Sequence, residues 1–463
     1  MKLFNLIGVK IGKALPQRSF LRSVSILAGG TAFAQAIGVV MLPIITRIYT
    51  PNEFSVLAVY TSILAIVAGV ACLRLDIAIP LPKSDADAAN LLSVSLVICT
   101  ILSVFTGVAA FLFADQVIFF VKQPDLRPYI WMIPLGIWLA STYSAFQFWA
   151  TRKKRYGAIA KTRISQTGSS VFVQISLGLG SAFGPLGLLL GQAMSSGAGV
   201  FALARLMWLK DKRHFRRVSR ERMRAMFIAY KRFPKYSALE SFANNGAVQL
   251  PVILIAAVSS ESDAGYLLLA MKAMAMPLGL IGGAVSQVYL SRAPDEWRAG
   301  TLPTFTLNSI AGLAKVGIGP LIFAGITAPI LFPVFFGTEW RRAGEMVAWM
   351  TPWLILQFLS SPVSMALHIT DHQRAALALQ LVGLVVRLGL TALAVLLLPK
   401  YTFFVYAISG LVFYFLYLLV ITHVVGIKGV ELCSAIFREG RVVALWSGAG
   451  LVLALALRLG LSL

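Results

Sequence analysis

The sequence predicts an all-α, polytopic membrane fold, on three observations. Apolar runs long enough to cross a bilayer recur along the 463 residues, 58% of the chain is hydrophobic against 13% charged, and the basic residues gather in alternate connecting segments. A mean hydropathy of +0.81 is far outside the range of water-soluble domains. Hydrocarbon offers backbone N–H and C=O groups no partner, so runs of about 20 residues must pair them internally as helices.

Thirteen runs follow in order: 23–45, 54–73, 88–113, 129–149, 164–180, 187–204, 236–258, 264–290, 304–336, 344–369, 375–397, 402–425 and 442–461. The first two form a hairpin. GGTAFAQAIGVVMLPIITRIYTP contains Gln35 and ends by Arg47, and the run from Phe54 to Leu73 returns to close on RLDIAIPLPKSDAD, with Arg74 and Asp76 at its exit. Six runs make a lobe over 23–208, the basic segment 209–235 links the lobes, and six more make a second lobe over 236–425. That second lobe opens as the first does. Asn244, Asn245 and Gln249 precede Pro251, as Gln35 precedes Pro43, and the acidic turn SSESDAGY leads into a returning run. About 12–14 helices in two pseudo-symmetric lobes around a central cleft is a transporter architecture, in which one half rocks against the other. Residues 426–463 add an inner loop and one further helix.

A net charge of +23, from 41 basic and 18 acidic residues, would suggest nucleic acid in a soluble protein. Its distribution orients a membrane protein instead. With the N-terminus inside, 31 of the 41 Lys and Arg fall in inner segments and seven in outer ones, as the positive-inside rule requires. Residues 1–22 carry Lys2, Lys10, Lys13, Arg18 and Arg22 among apolar residues and read as a basic amphipathic segment on the inner leaflet. Ala32-Phe33-Ala34 resembles a cleavage box, but the apolar run continues past it, which favours an uncleaved start-transfer helix. The linker places Met223, Met226, Phe227 and Tyr230 at helical spacing, either as an interfacial helix on anionic lipid or as a solvated connection. Three cysteines give no disulfide framework.

The remaining three basic residues, Lys272, Lys315 and Arg387, fall inside spans. A charge at the centre of a membrane helix costs roughly 2.5–3.5 kcal/mol, so such residues mark a polar pathway unless paired to buried carboxylates or backbone carbonyls. Arg387 is the deepest, Lys272 precedes Pro277, where a broken helix would free carbonyls, and Lys315 is near enough to the inner face to snorkel. Arg47 and Arg74 flank the first hairpin as gates or interfacial anchors. Asp76, Glu240 and Asp371 are candidate coupling carboxylates, with surface ion pairs as the alternative. Gln35, Asn244, Asn245, Gln249, Gln287 and Gln380 offer neutral hydrogen-bonding groups that suit a sugar path or helix–helix bonds. Tyr49, Trp149, Trp208 and Trp340 are placed for the aromatic belt. His368 and His372 have metal-pair spacing but no third ligand nearby, and GLGSAFGPLG lacks the strand and spacing of a dinucleotide site, so no metal and no cofactor is expected.

The stretches AQAIGVVMLPIITRIYTPNEFSVLAVY, RLDIAIPLPKSDADAANLL and QLPVILIAAVSSESDAGYLLLAMKAMAMPLGLIGGAVSQVYLSRA resemble the polysaccharide transporter family, the O-antigen and exopolysaccharide flippases, which are similar in fold to multidrug and toxin extruders and lipid II flippases. The resemblance covers residues 20–425. It implies translocation of a polyprenyl-pyrophosphate-linked oligosaccharide across the bacterial inner membrane by alternating access, with membrane lipids and other glycan-assembly membrane proteins as partners and no nucleic acid. Arg387, Lys272, Lys315, Arg74 and Arg47 would then meet the diphosphate in a watery cleft. A multidrug or cation exporter, or a lipid II flippase, is the alternative within the superfamily. A membrane-embedded glycan polymerase or ligase would need a large outer catalytic loop, and the longest outer turn here is only 114–128. No enzymatic activity is expected.

Overall fold

The computed structural model describes residues 18–180, 184–258, 262–437 and 440–461, and every regular element among them is helical. The first helices are α1 (Arg18–Ile48), α2 (Pro51–Ala71), α3 (Asp85–Leu112), α4 (Ala114–Val121), α5 (Met132–Arg152), α6 (Tyr156–Gly178), α7 (Leu186–Phe215), α8 (Arg220–Ala229) and α9 (Ala238–Val258). They are followed by α10 (Asp263–Arg298), α11 (Leu302–Phe336), α12 (Arg341–Ser360), α13 (Ala366–Ile369), α14 (Gln373–Leu397), α15 (Thr402–Val425), α16 (Gly429–Phe437) and α17 (Gly440–Leu461). Most of the amphipathic segment 1–22 lies outside the described residues, with 18–22 opening α1. The turns GLGSAFGPLG and SSESDAGY each include residues outside them as well.

All thirteen expected runs fall on long helices. Ten of these helices are long and apolar enough to cross a membrane, and α10, whose halves Asp263–Met276 and Leu278–Arg298 meet at 48°, makes an eleventh. The bend falls between Met276 and Leu278. Helices α5 and α6 fall short of that apolarity. The first carries Ser141, Thr142, Ser144 and Gln147, the second Lys161, Arg163, Gln166 and Gln174.

Local chemistry explains where helices begin. Thr50 and Glu53 form a reciprocal capping box ahead of α2, with Pro51 in the first turn, so the chain reverses within a few residues of α1. Ser84 caps α3 by accepting the Asp87 N–H at 3.0 Å, and Asp85 and Asp87 place negative charge at the positive end of the helix dipole. Between these two helices Leu73 and Arg74 are both left-handed, with φ of 50° and 59°, a conformation that costs a non-glycine residue about 1–2 kcal/mol.

Two compact units divide the chain, Pro16–Gly265 and a second from Tyr266 to Leu463. The first contains α1 to α9, because α9 packs along α2. Small residues set the spacing of its helices. A Cβ at Gly30 would lie 2.5 Å from that of Ala160, and one at Gly265 would lie 2.0 Å from the Pro51 carbonyl oxygen. In the second unit α11 packs on α12 and α17, with Gly344 against the Ala328 backbone and Gly319 beneath Trp446.

Two sequence expectations change here. Tyr49, Trp149 and Trp340 are buried at 3%, 0% and 1% exposure rather than forming an aromatic belt, and only Trp208 is exposed. Tyr49 donates to the Gln174 carbonyl at 2.7 Å and Trp149 to Asp211, so protein partners inside the bundle satisfy their polar atoms. In α8, Met223, Met226 and Tyr230 pack against the core of α3 and α5, which leaves Phe227 and Ile228 facing outward.

Candidate functional site

Arg387 lies midway along α14 with 1% exposure. Four aromatic rings enclose its guanidinium. The central carbon is 5.1 Å from the Trp353 ring, 5.5 Å from Tyr406 and 5.9 Å from both Phe413 and Tyr414. Trp353 comes from α12, and the other three share one face of α15 at i, i+7 and i+8. Glycines let this cage close, since a Cβ at Gly383 would lie 2.3 Å from Phe413 and one at Gly410 would lie 2.7 Å from Trp353.

The cage satisfies the charge but not the donors. Desolvated cation–π contacts are worth about 2 kcal/mol or more, yet a guanidinium carries five N–H groups and no acceptor. Nη2 donates one long bond to the Tyr406 hydroxyl at 3.4 Å, and the buried Nε has no partner. No carboxylate pairs with Arg387 among the described residues. The sequence placed this head group in a watery cleft, whereas here rings enclose it, so an anion reaches it only when they move.

The other expected cations of this unit stand on separate helices. Lys272 is half-buried on α10, five residues before the bend, with no hydrogen bond or ion pair among the described residues. Lys315 is exposed on α11 and Gln287 on α10, Gln380 is half-buried on α14, and Asp371 is exposed in a left-handed conformation after α13.

In the first unit the left-handed turn brings Arg74 and Asp76 inward. Arg74 is half-buried, with an Nε that lacks a partner. Asp76 is 5% exposed, accepts from the Ser144 hydroxyl at 2.7 Å through Oδ2, and leaves Oδ1 unpartnered. No ion pair joins the two among the described residues. The Gln35 Oε1 on α1 is likewise buried without a partner. Arg47 and Asn244 are exposed and Glu240 is half-buried.

Two of the expected pathway residues belong to a seam between helices. Gln249 accepts from the Ser62 hydroxyl at 2.9 Å, Ser241 donates to the Gly69 carbonyl at 3.1 Å, and Asn245 donates to Ser241 at 3.5 Å. Ser241, Asn245 and Gln249 recur every four residues, which makes one polar stripe of α9 against α2.

A second ionic feature escaped the sequence. Asp211, 2% exposed near the end of α7, receives a bidentate bond from Arg155 at 2.6 and 2.7 Å and the Trp149 indole N–H at 2.9 Å. Asp85 at the start of α3 pairs with Arg152 at 2.9 Å and with Lys153, and Arg152 also donates to the Pro80 and Pro82 carbonyls. These bonds tie α3, α5, α6 and α7 at one end of the unit. The sequence signal was the acid pair of PKSDAD and the lone acid inside the basic run LKDKRH, set against the basic TRKKR at the end of α5.

Comparison with known proteins matches this architecture. Residues 44–345 fit the model of a family described as polysaccharide biosynthesis protein. The fold is similar to the lipid II flippase MurJ in its inward closed conformation, with a TM-score of 0.71 and 11% identity over 94% of this chain and 97% of that one. It is also similar to a multidrug resistance MATE family transporter of the MOP superfamily. The inward-facing form gives a TM-score of 0.57 at 14% identity over 95% and 98% of the two chains. The outward-facing form gives 0.52 at 13% over 93% and 99%. A search of curated proteins finds no match. Identities this low speak to the fold alone. The family match spans well over half of the sequence and shows that this multi-pass membrane chain belongs to the polysaccharide biosynthesis protein family, with a fold similar to those of MurJ and the MATE transporter.

Proposed function

We propose that this protein is a flippase that moves a polyprenyl-pyrophosphate-linked oligosaccharide, an O-antigen or exopolysaccharide repeat unit, across the bacterial inner membrane by alternating access, with its N-terminus in the cytoplasm. The observation that carries this reading is Arg387, a permanently charged group buried in a membrane helix with no carboxylate partner among the described residues and an unsatisfied N–H. A diphosphate supplies the missing acceptors in the bidentate geometry a guanidinium prefers. Lys272 near the α10 bend, Lys315, Arg74 and Arg47 would guide the anion, and Gln35, Asn244, Gln287 and Gln380 would meet sugar hydroxyls. The halves 23–208 and 236–425 would rock against each other, the lipid tail staying in the bilayer. Other glycan-assembly membrane proteins would supply and remove the substrate. A lipid II flippase would share the diphosphate chemistry.

Asp76 favours a second reading. A buried carboxylate with one oxygen unpartnered suits a coupling proton or a transported cation, as in a drug or cation exporter. Glu240 and Asp371, half-buried and exposed, are weaker candidates for that role. Complementation of a flippase-null strain separates the readings. At matched protein level Arg387→Ala should lower surface glycan at least about tenfold, a barrier change of about 1.4 kcal/mol, with partial rescue by Arg387→Lys. Normal glycan from Arg387→Ala would remove this residue from the pathway, and drug resistance without glycan would favour the exporter.

A further inference from the structure

We propose that the outward face of α8 is a docking surface for anionic phospholipid headgroups. Its inner face is occupied, since Met223, Met226 and Tyr230 pack on the α3–α5 core. At 100° per residue Arg220, Arg224, Phe227 and Ile228 gather on an outward flank of the helix beside the exposed Glu221, and Lys231 follows in the turn after it, all exposed. None of the three cations has a side-chain hydrogen bond or ion pair among the described residues. Within 205–235 there are twelve basic residues and two acidic ones, and Asp211 is already neutralised by Arg155. With Glu221 as its one acid, the surface is a net positive face with two apolar side chains set into it, a combination suited to the boundary between headgroups and acyl chains.

The height of α8 fits that plane. The Ser219 N–H, at the cap of α8, donates to Asn90 Oδ1 at 3.1 Å, and Asn90 Nδ2 donates to the Arg217 carbonyl at 3.4 Å. Asn90 stands just past the first turn of α3, where the charged Asp85–Asp87 end gives way to apolar helix. On α7 the exposed Trp208, with the Lys212 ammonium 4.8 Å from its ring, marks the same transition. Basic side chains held there reach headgroup phosphates while Phe227 and Ile228 dip below them.

The test uses the full chain in nanodiscs, with an environment-sensitive fluorophore on Ile228→Cys in a Cys433→Ser background, Cys72 and Cys99 being buried. Emission should shift to the blue when neutral phosphatidylcholine is replaced by a mixture with phosphatidylglycerol, and added salt should reverse the shift. Each basic residue removed should weaken affinity for the anionic leaflet about fivefold, so Arg220→Gln with Arg224→Gln and Lys231→Gln should abolish the response. These exposed positions leave the core intact, which a thermal melt would check. Equal emission in neutral and anionic discs would overturn the proposal. So would a shift produced in neutral discs by inorganic pyrophosphate, which would indicate a free-anion site, or one unchanged in the triple variant.

Discussion

Two sets of buried cations, Arg152 and Arg155 in the first unit and Arg387 in the second, are treated oppositely. In the first, Arg155 and Arg152 are matched almost atom for atom by Asp211, Asp85 and loop carbonyls. In the second, Arg387 is more deeply buried yet has aromatic faces where the others have carboxylates. A matched ion pair is a finished structure whose partners hold each other out of solution. An aromatic cage keeps a guanidinium charged while leaving its donors open, so depth of burial alone does not separate scaffold from site. The state of the hydrogen bonds does.

That contrast can be broken from the structural side first. Asp211→Ala would leave the Arg155 guanidinium and the Trp149 indole without their acceptor, and losing one member of a buried pair costs about 3–5 kcal/mol. The first unit should melt far below wild type in detergent. Gly265→Ala drives a methyl into the Pro51 carbonyl, for an expected loss of about 1–3 kcal/mol in the same melt. Tyr406→Phe removes a hydrogen bond of Arg387 and should cost only about 1 kcal/mol, with little loss of surface glycan if the diphosphate is the acceptor that matters. Ser62→Ala cuts one bond of the α2–α9 seam and should cost about 0.6 kcal/mol, typical of a single interhelical bond in a bilayer protein.

Much of the fold was legible because hydrocarbon leaves the chain few choices. Every long apolar run became a helix, and the Thr50–Glu53 and Ser84 caps lie where composition changes. The candidate site was legible only as a set of charges. Arg387 stood out because nothing in LALQLVGLVVRLGLTALAVLLL accounts for it, but its rings come from α12 and α15, and no spacing within α14 reveals them. Trp149 was misplaced for the same reason. An amphipathic ring near a helix end suits lipid headgroups and a buried acid equally, and the deciding partner, Asp211, lies 62 residues away. Gln249 likewise suited a sugar path until α9 packed along α2 and its oxygen met Ser62.

The central claim is that Arg387 is an open anion acceptor on a glycolipid path. Purified protein reconstituted in liposomes with a fluorescent polyprenyl-diphosphate oligosaccharide tests it most directly, with the label quenched from outside to follow its passage between leaflets. Wild type should move the lipid and Arg387→Ala should be slowed at least about tenfold at unchanged melting temperature. An Arg387→Ala protein that translocates at the wild-type rate would contradict the account.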